Sequence, residues 1–167
     1  MDRLDRYLEG LRELPNDAEL HFLVGRAYLM QGRKVLSQAS FERALALRPD
    51  YALAHYGLAG VHHQHRELGE AIARYERAWE LDSTLVTALN DLGRAYEQAG
   101  RSAEAVAVLE EAVERQPDLA RVHLNLGRSY LKLGRRERAT AALEMAVRLD
   151  SSLRPARKTL EELRGDR

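Results

Sequence analysis

One stretch sets the terms for the whole chain: residues 86–119, VTALNDLGRAYEQAGRSAEAVAVLEEAVERQPDL. It reads as two amphipathic helices, broken at Ala99-Gly100-Arg101 and closed at Pro117. Glycine readily takes the helix-ending conformation, and proline cannot continue a helix. The pattern returns at a 34-residue step: Gly25, Ala59, Gly93 and Gly127 fall on it, as do Ala44, Ala78, Ala112 and Ala146. A small residue at a fixed place lets two helices cross closely, and Tyr28, Tyr96, Tyr130, Phe41, Tyr75 and Trp79 fill the space that remains. A unit of this size cannot bury its apolar face alone, so successive units must stack.

Four full units follow from the phase: 18–51, 52–85, 86–119 and 120–153. In the first, helix A is expected over 18–31 and helix B over 35–48, with the break at Gly32-Arg33 and the end at Pro49-Asp50. Before them, residues 2–14 match the second helix of a unit, Tyr7 aligning with Phe41 and Tyr75. Pro15-Asn16-Asp17 then stops that helix and caps the next, Asp accepting from open amide groups. After the repeats, residues 154–164 form a short helix with an apolar stripe of Ala156, Leu160 and Leu163 and otherwise charged faces, suited to covering the last repeat. Gly165-Asp166-Arg167 reads as a frayed end. The whole chain is taken as one all-α domain over residues 1–167.

Charge and composition narrow the function. Lys+Arg and Asp+Glu both number 26, so the chain lacks the basic excess that broad nucleic-acid binding needs. There is no cysteine, hence no disulfide and no thiolate metal site. The opening MDRLDRYLEGLRELP mixes acids and bases and is no secretory leader. No stretch approaches the roughly 18 apolar residues of a membrane span. A cytoplasmic protein is expected.

The recurring order of a large residue, Leu-Gly, Tyr, Ala, an aromatic or Leu, Ala and Pro resembles the tetratricopeptide repeat. It is carried by Leu92-Gly93-Arg94-Ala95-Tyr96 and Leu126-Gly127-Arg128-Ser129-Tyr130, and spans residues 18–153 plus the half-unit in front. Departures are local: His21, His55 and His123 stand where the family often has Trp, His62 replaces Tyr, Ser37 replaces Ala, and Ser83 and Ser151 replace Pro. The resemblance implies a right-handed α-solenoid, a superhelix of antiparallel helix pairs whose A helices line a concave groove for a peptide or partner helix. It also implies a non-enzymatic protein-interaction role. One sub-type of the family clamps the acidic tails of heat-shock chaperones with Lys and Asn on one A helix, Asn on the next, and Lys and Arg on the third. Here the successive sets are Phe22 and Arg26, Gly57, then Thr87 and Asp91, or Tyr56 and Gly60, Asp91, then Arg121 and Asn125. Neither fits.

Catalytic and metal chemistry find little footing. His55, His62 and His65 lie at helical spacings that permit a shared ion, but His55 and His62 occupy packing positions and no carboxylate or cysteine completes a set. No Ser/His/Asp arrangement appears, and Gly57 and Gly60 lie inside a helix rather than in a phosphate loop. No enzyme activity, cofactor or metal is expected.

Helical spacing places one set of residues on the groove face that the resemblance implies. The first unit gives Glu19, Phe22, Arg26, Leu29 and Met30; the second gives Leu53, Tyr56, Gly60, His63 and Gln64. The third gives Thr87, Asn90, Asp91, Arg94, Glu97 and Gln98. The fourth gives Arg121, Asn125, Arg128 and Lys132, with Leu124 and Leu131. The candidates for partner contact are Phe22, Arg26, Met30, Tyr56, His63, Asn90, Arg94, Arg121, Asn125 and Arg128. Arg94 and Arg128 stand one repeat apart, about 10 Å at the usual helix separation, and suit carboxylates. Asn90 and Asn125 suit a peptide backbone. The expected partner is a protein segment with an apolar part and acidic residues. The rival reading is a structural subunit that assembles with itself or a larger complex through its terminal helices, as a homo-oligomer through residues 2–14.

Overall fold

A computed structural model describes residues 3–165, and among these it contains ten helices and no strand. The elements are α1 (Arg3–Glu13), α2 (Ala18–Met30), α3 (Lys34–Leu47), α4 (Ala52–Gln64), α5 (Leu68–Leu81), α6 (Val86–Gln98), α7 (Ser102–Arg115), α8 (Ala120–Lys132), α9 (Arg136–Leu149) and α10 (Arg154–Gly165). The chain is an all-α solenoid. The expected helix start at residue 2 and the frayed Asp166-Arg167 lie outside the described residues, while Gly165 closes α10.

Helix starts and stops have local causes. Asp17 caps α2, its Oδ1 accepting from the amides of Glu19 at 2.8 Å and Leu20 at 2.9 Å. The A helices end in one recurring turn. Gly32, Gly100 and Gly134 take φ of 71°, 75° and 69°, and Arg66 takes the same left-handed conformation at 62°. In each, the next residue's amide reaches back to the aromatic five positions earlier: Arg33 to Tyr28 at 2.9 Å, Glu67 to His62 at 3.0 Å, Arg101 to Tyr96 and Arg135 to Tyr130 at 2.9 Å. These 6→1 bonds, with the left-handed residue before them, satisfy carbonyls that the helix end leaves open.

The second repeat differs at this turn by a matched exchange. Where Arg33 lies over the Tyr28 ring at 4.9 Å and Arg101 over Tyr96 at 4.5 Å, His62 Nδ1 meets Glu67 Oε2 at 2.6 Å. A cation on an aromatic face is replaced by a carboxylate on an imidazole.

The chain forms two compact units that divide between Leu85 and Val86, where the second repeat gives way to the third. In the first, α1 packs on α2, α2 on α3 and α4, α3 on α4, and α4 on α5. In the second, α6 packs on α7 and α8, α7 on α8, α8 on α9, and α9 on α10. The small-residue positions make these approaches possible. A methyl added to Gly93 would sit 2.6 Å from Leu109, one on Gly127 2.8 Å from Leu143, and one on Gly25 2.8 Å from Phe41. Ala44, Ala78, Ala112 and Ala146 are wholly buried. Ser37, in place of the usual Ala, keeps its hydroxyl satisfied by donating to the Gly25 carbonyl at 2.8 Å. Ala156, Leu160 and Leu163 of α10 are buried in one cluster with Leu143 and Ala146 of α9.

Candidate functional site

In the first unit the outward stripe of α2 and α4 is mixed. Arg26 is exposed and lies 5.6 Å over the Phe22 ring, and Met30 at the end of α2 is 84% exposed. Tyr56 is half-buried at 5.7 Å from the Tyr75 ring, and His63 meets the same ring edge-on at 6.1 Å.

Phe22 departs from the expectation. It is only 6% exposed, with its ring 5.9 Å from Phe41 and 5.2 Å from Tyr51. Helical spacing puts Phe22 one turn before Arg26, but Tyr51, the last residue of the same repeat and the cap of α4, closes over it. The same relation recurs in the last repeat, where Leu124 is buried in a cluster that takes in Leu153. In the same column Tyr56 and Asn90 are half-buried. Phe22 and Leu124 are core residues and are withdrawn from the contact face.

The second unit brings its polar candidates together. Asn125 Nδ2 on α8 donates to Asn90 Oδ1 on α6 at 2.9 Å, and Asn90 Nδ2 donates to Asp91 at 3.3 Å. Arg94 donates along its own helix to Asp91 at 3.1 Å, so its guanidinium is already engaged. Arg121 and Arg128 are exposed. Asp150 lies below the usual carboxylate range, chiefly because the Ser152 hydroxyl and amide donate to it, and further through the charge of Arg121. Glu97, Gln98, Arg128, Leu131 and Lys132 line a pocket of about 660 Å³. Among the described residues no acid lies within ion-pair distance of Arg128 or Lys132. Such a face can accept a carboxylate by charge-assisted hydrogen bonds and a peptide amide through Asn125.

The histidines have structural work. His55 Nε2 donates to the Pro49 carbonyl at 3.0 Å, and its Nδ1 lies 3.3 Å from Arg74 Nη1. Burial chiefly holds the His55 pKa below the ordinary 6.5; the bond to Pro49 opposes this, and Arg74 and Arg77 add to it. His21 makes the same bond to Pro15 at 3.0 Å and His123 to Pro117 at 2.8 Å. Where the second repeat gives way to the third, the two positions hold Ser83 and Leu89. This clip went unread in the sequence, although Pro and His six residues apart recur together three times and are absent together at the fourth place. Among the described residues no group of three His, Cys, Asp or Glu side chains is placed to hold a metal ion.

A second cavity, of about 280 Å³, opens between α1 and α2. Leu4, Tyr7, Leu23 and Met30 give it apolar walls, with Arg3 and Arg26 beside them. Of these Arg26 and Met30 were contact candidates from the sequence, and Tyr7 lies in the 2–14 segment expected to mediate assembly.

Models of the tetratricopeptide repeat match residues 18–51, 36–84 and 90–153. The chain belongs to the tetratricopeptide-repeat family. Its fold is that of a protein-interaction scaffold. A crystal structure of MamA is similar with a TM-score of 0.81 at 24% identity, covering 89% of this chain and 86% of that one. The pilF protein of Pseudomonas aeruginosa is similar with a TM-score of 0.80 at 27% identity, covering 87% of this chain and 67% of that one. A thermophilic tetratricopeptide-repeat protein of Thermus thermophilus gives a TM-score of 0.75 at 19% identity over 96% of this chain and 88% of its own. No curated protein sequence matches the chain. Among the described residues of this repeat protein, no helix is long and apolar enough to cross a membrane.

Proposed function

We propose that this repeat protein is a non-enzymatic adaptor whose A-helix faces hold a segment of a partner protein. The carrying observation is in the second unit, where two cations without ion-pair partners among the described residues, Arg128 and Lys132, lie on the same helix as the Asn125 amide. Carboxylates of the segment meet Arg121, Arg128 and Lys132, and its backbone meets Asn125 and Asn90; in the first unit Met30 and Tyr56 offer an apolar contact of their own. Arg94 contributes after exchanging Asp91 for the ligand. The test is affinity capture of a partner by the full chain against Arg94→Glu plus Arg128→Glu. The double variant is expected to lose the partner while keeping its helical circular dichroism. Equal capture by both proteins would refute the reading.

A second reading rests on the open apolar cavity between α1 and α2, with Met30 exposed beside it. In this reading the protein is a structural subunit that assembles through its terminal helices. Concentration-dependent oligomers in sedimentation, abolished by Tyr7→Glu plus Leu11→Glu, are its expected result; a monomer at all concentrations excludes it.

A further inference from the structure

Glu97 stands in a column that the other repeats fill with Leu29, His63 and Leu131, all half-buried. A carboxylate in such a place is half desolvated. Its Oε2 is out of contact with solvent and has no hydrogen-bond partner among the described residues. A buried, unpaired carboxylate oxygen disfavours the fold relative to the leucine that two sibling repeats carry. The same side chain lines the pocket with Arg128, Leu131 and Lys132, yet neither cation lies within ion-pair distance of it. Acid and bases therefore meet the pocket separately, beside an apolar wall.

We infer that this pocket reads a pair of opposite charges on one protein segment: a lysine or arginine donating to Glu97, next to an aspartate or glutamate received by Arg128 and Lys132. The inference rests on the proposed contact face and specifies its ligand: the segment is not simply acidic. Glu97 supplies the acceptor that a cationic donor needs, and its half-burial strengthens a charge-assisted bond made there.

The probe is a phage-displayed library of random dodecapeptides, panned against the full chain and its Glu97→Gln and Arg128→Glu variants. The wild type is expected to select peptides that carry basic and acidic residues together. Glu97→Gln keeps the acidic enrichment and loses the basic one, and the selected peptide binds it about tenfold more weakly, as loss of one charge-assisted bond requires. Arg128→Glu reverses the pattern. Wild-type selection of acidic residues alone, or basic enrichment that survives Glu97→Gln, overturns this inference and leaves the contact face standing. No charge enrichment in the wild type overturns both. A second measurement needs no ligand: Glu97→Leu is expected to raise the melting midpoint while weakening the selected peptide about tenfold. A lowered midpoint would make the carboxylate a structural group and refute the inference.

Discussion

The left-handed turn at Arg66 permits a test in which one rule predicts opposite signs at two sites. Arg66 has φ of 62°, and its counterpart Gly100 has 75°. A side chain in this conformation costs about 1–2 kcal/mol. Replacing Arg66 with glycine removes that strain but gives the unfolded chain extra freedom worth about 0.5–1 kcal/mol. The difference is a net gain of about 0.5–1 kcal/mol. Arg66 is exposed, so little packing is lost. In a chain of this size the gain corresponds to a rise of about 1–4 °C in melting midpoint. Gly100→Ala runs the other way. An added methyl would meet nothing within 4 Å, so the loss of about 0.5–1 kcal/mol is backbone strain rather than collision. Urea unfolding read by Trp79 fluorescence, in the same unit as Arg66, measures the first change. Backbone circular dichroism and amide exchange in α6 and α7 measure the second. A lowered midpoint for Arg66→Gly, or a raised one for Gly100→Ala, would refute the account of this turn.

Helix crossing gives a second pair of opposed outcomes. Gly93→Ala places a methyl 2.6 Å from the wholly buried Leu109 and is expected to destabilise by about 1–2 kcal/mol, overpacking outweighing the better helix former. Gly60→Ala meets only the Tyr75 hydroxyl, at 3.9 Å, and is expected to stabilise by about 0.5–1 kcal/mol in thermal melts. His55 sets a pH response. Its folded pKa lies below the ordinary 6.5, so the unfolded chain binds the proton first, and stability falls as pH drops below that value. Glu67, whose carboxyl the His62 hydrogen bond chiefly lowers, loses its contribution only below the ordinary 4.5. Melting of wild type against His55→Leu between those two values isolates the histidine; identical slopes would refute its role.

Much of the fold was legible because the repeat states each packing rule several times. Helix A of the first unit, read as 18–31, is Ala18–Met30, and helix B, read as 35–48, is Lys34–Leu47. The capping stripe of Ala156, Leu160 and Leu163 was readable because a short polar helix has one apolar side. The contact face was only partly legible. Spacing fixes the angle of a side chain about its helix axis, but not which neighbour covers it, and Tyr51 covers Phe22 from the turn before α4. The engagement of Arg94 by Asp91 was open to the same spacing argument that put Arg94 on the face, and geometry decided between them. The α1–α2 cavity and the Pro–His clips depend on how separate elements meet, to which a helical wheel is blind.

Those clips fix a proton. A proline carbonyl can only accept, so the bonded Nε2 of His21, His55 and His123 must carry hydrogen, and each neutral ring is held as the Nε2–H tautomer. At His55 this leaves Nδ1 as the acceptor that faces Arg74. Three of the inter-repeat turns thus hold an imidazole whose nitrogen resonances report, turn by turn, whether that joint is closed. The turn at Ser83 and Leu89 has no such ring and is silent. Nuclear magnetic resonance of three side chains would then reveal which joint a bound partner disturbs, before anything is known of the partner itself.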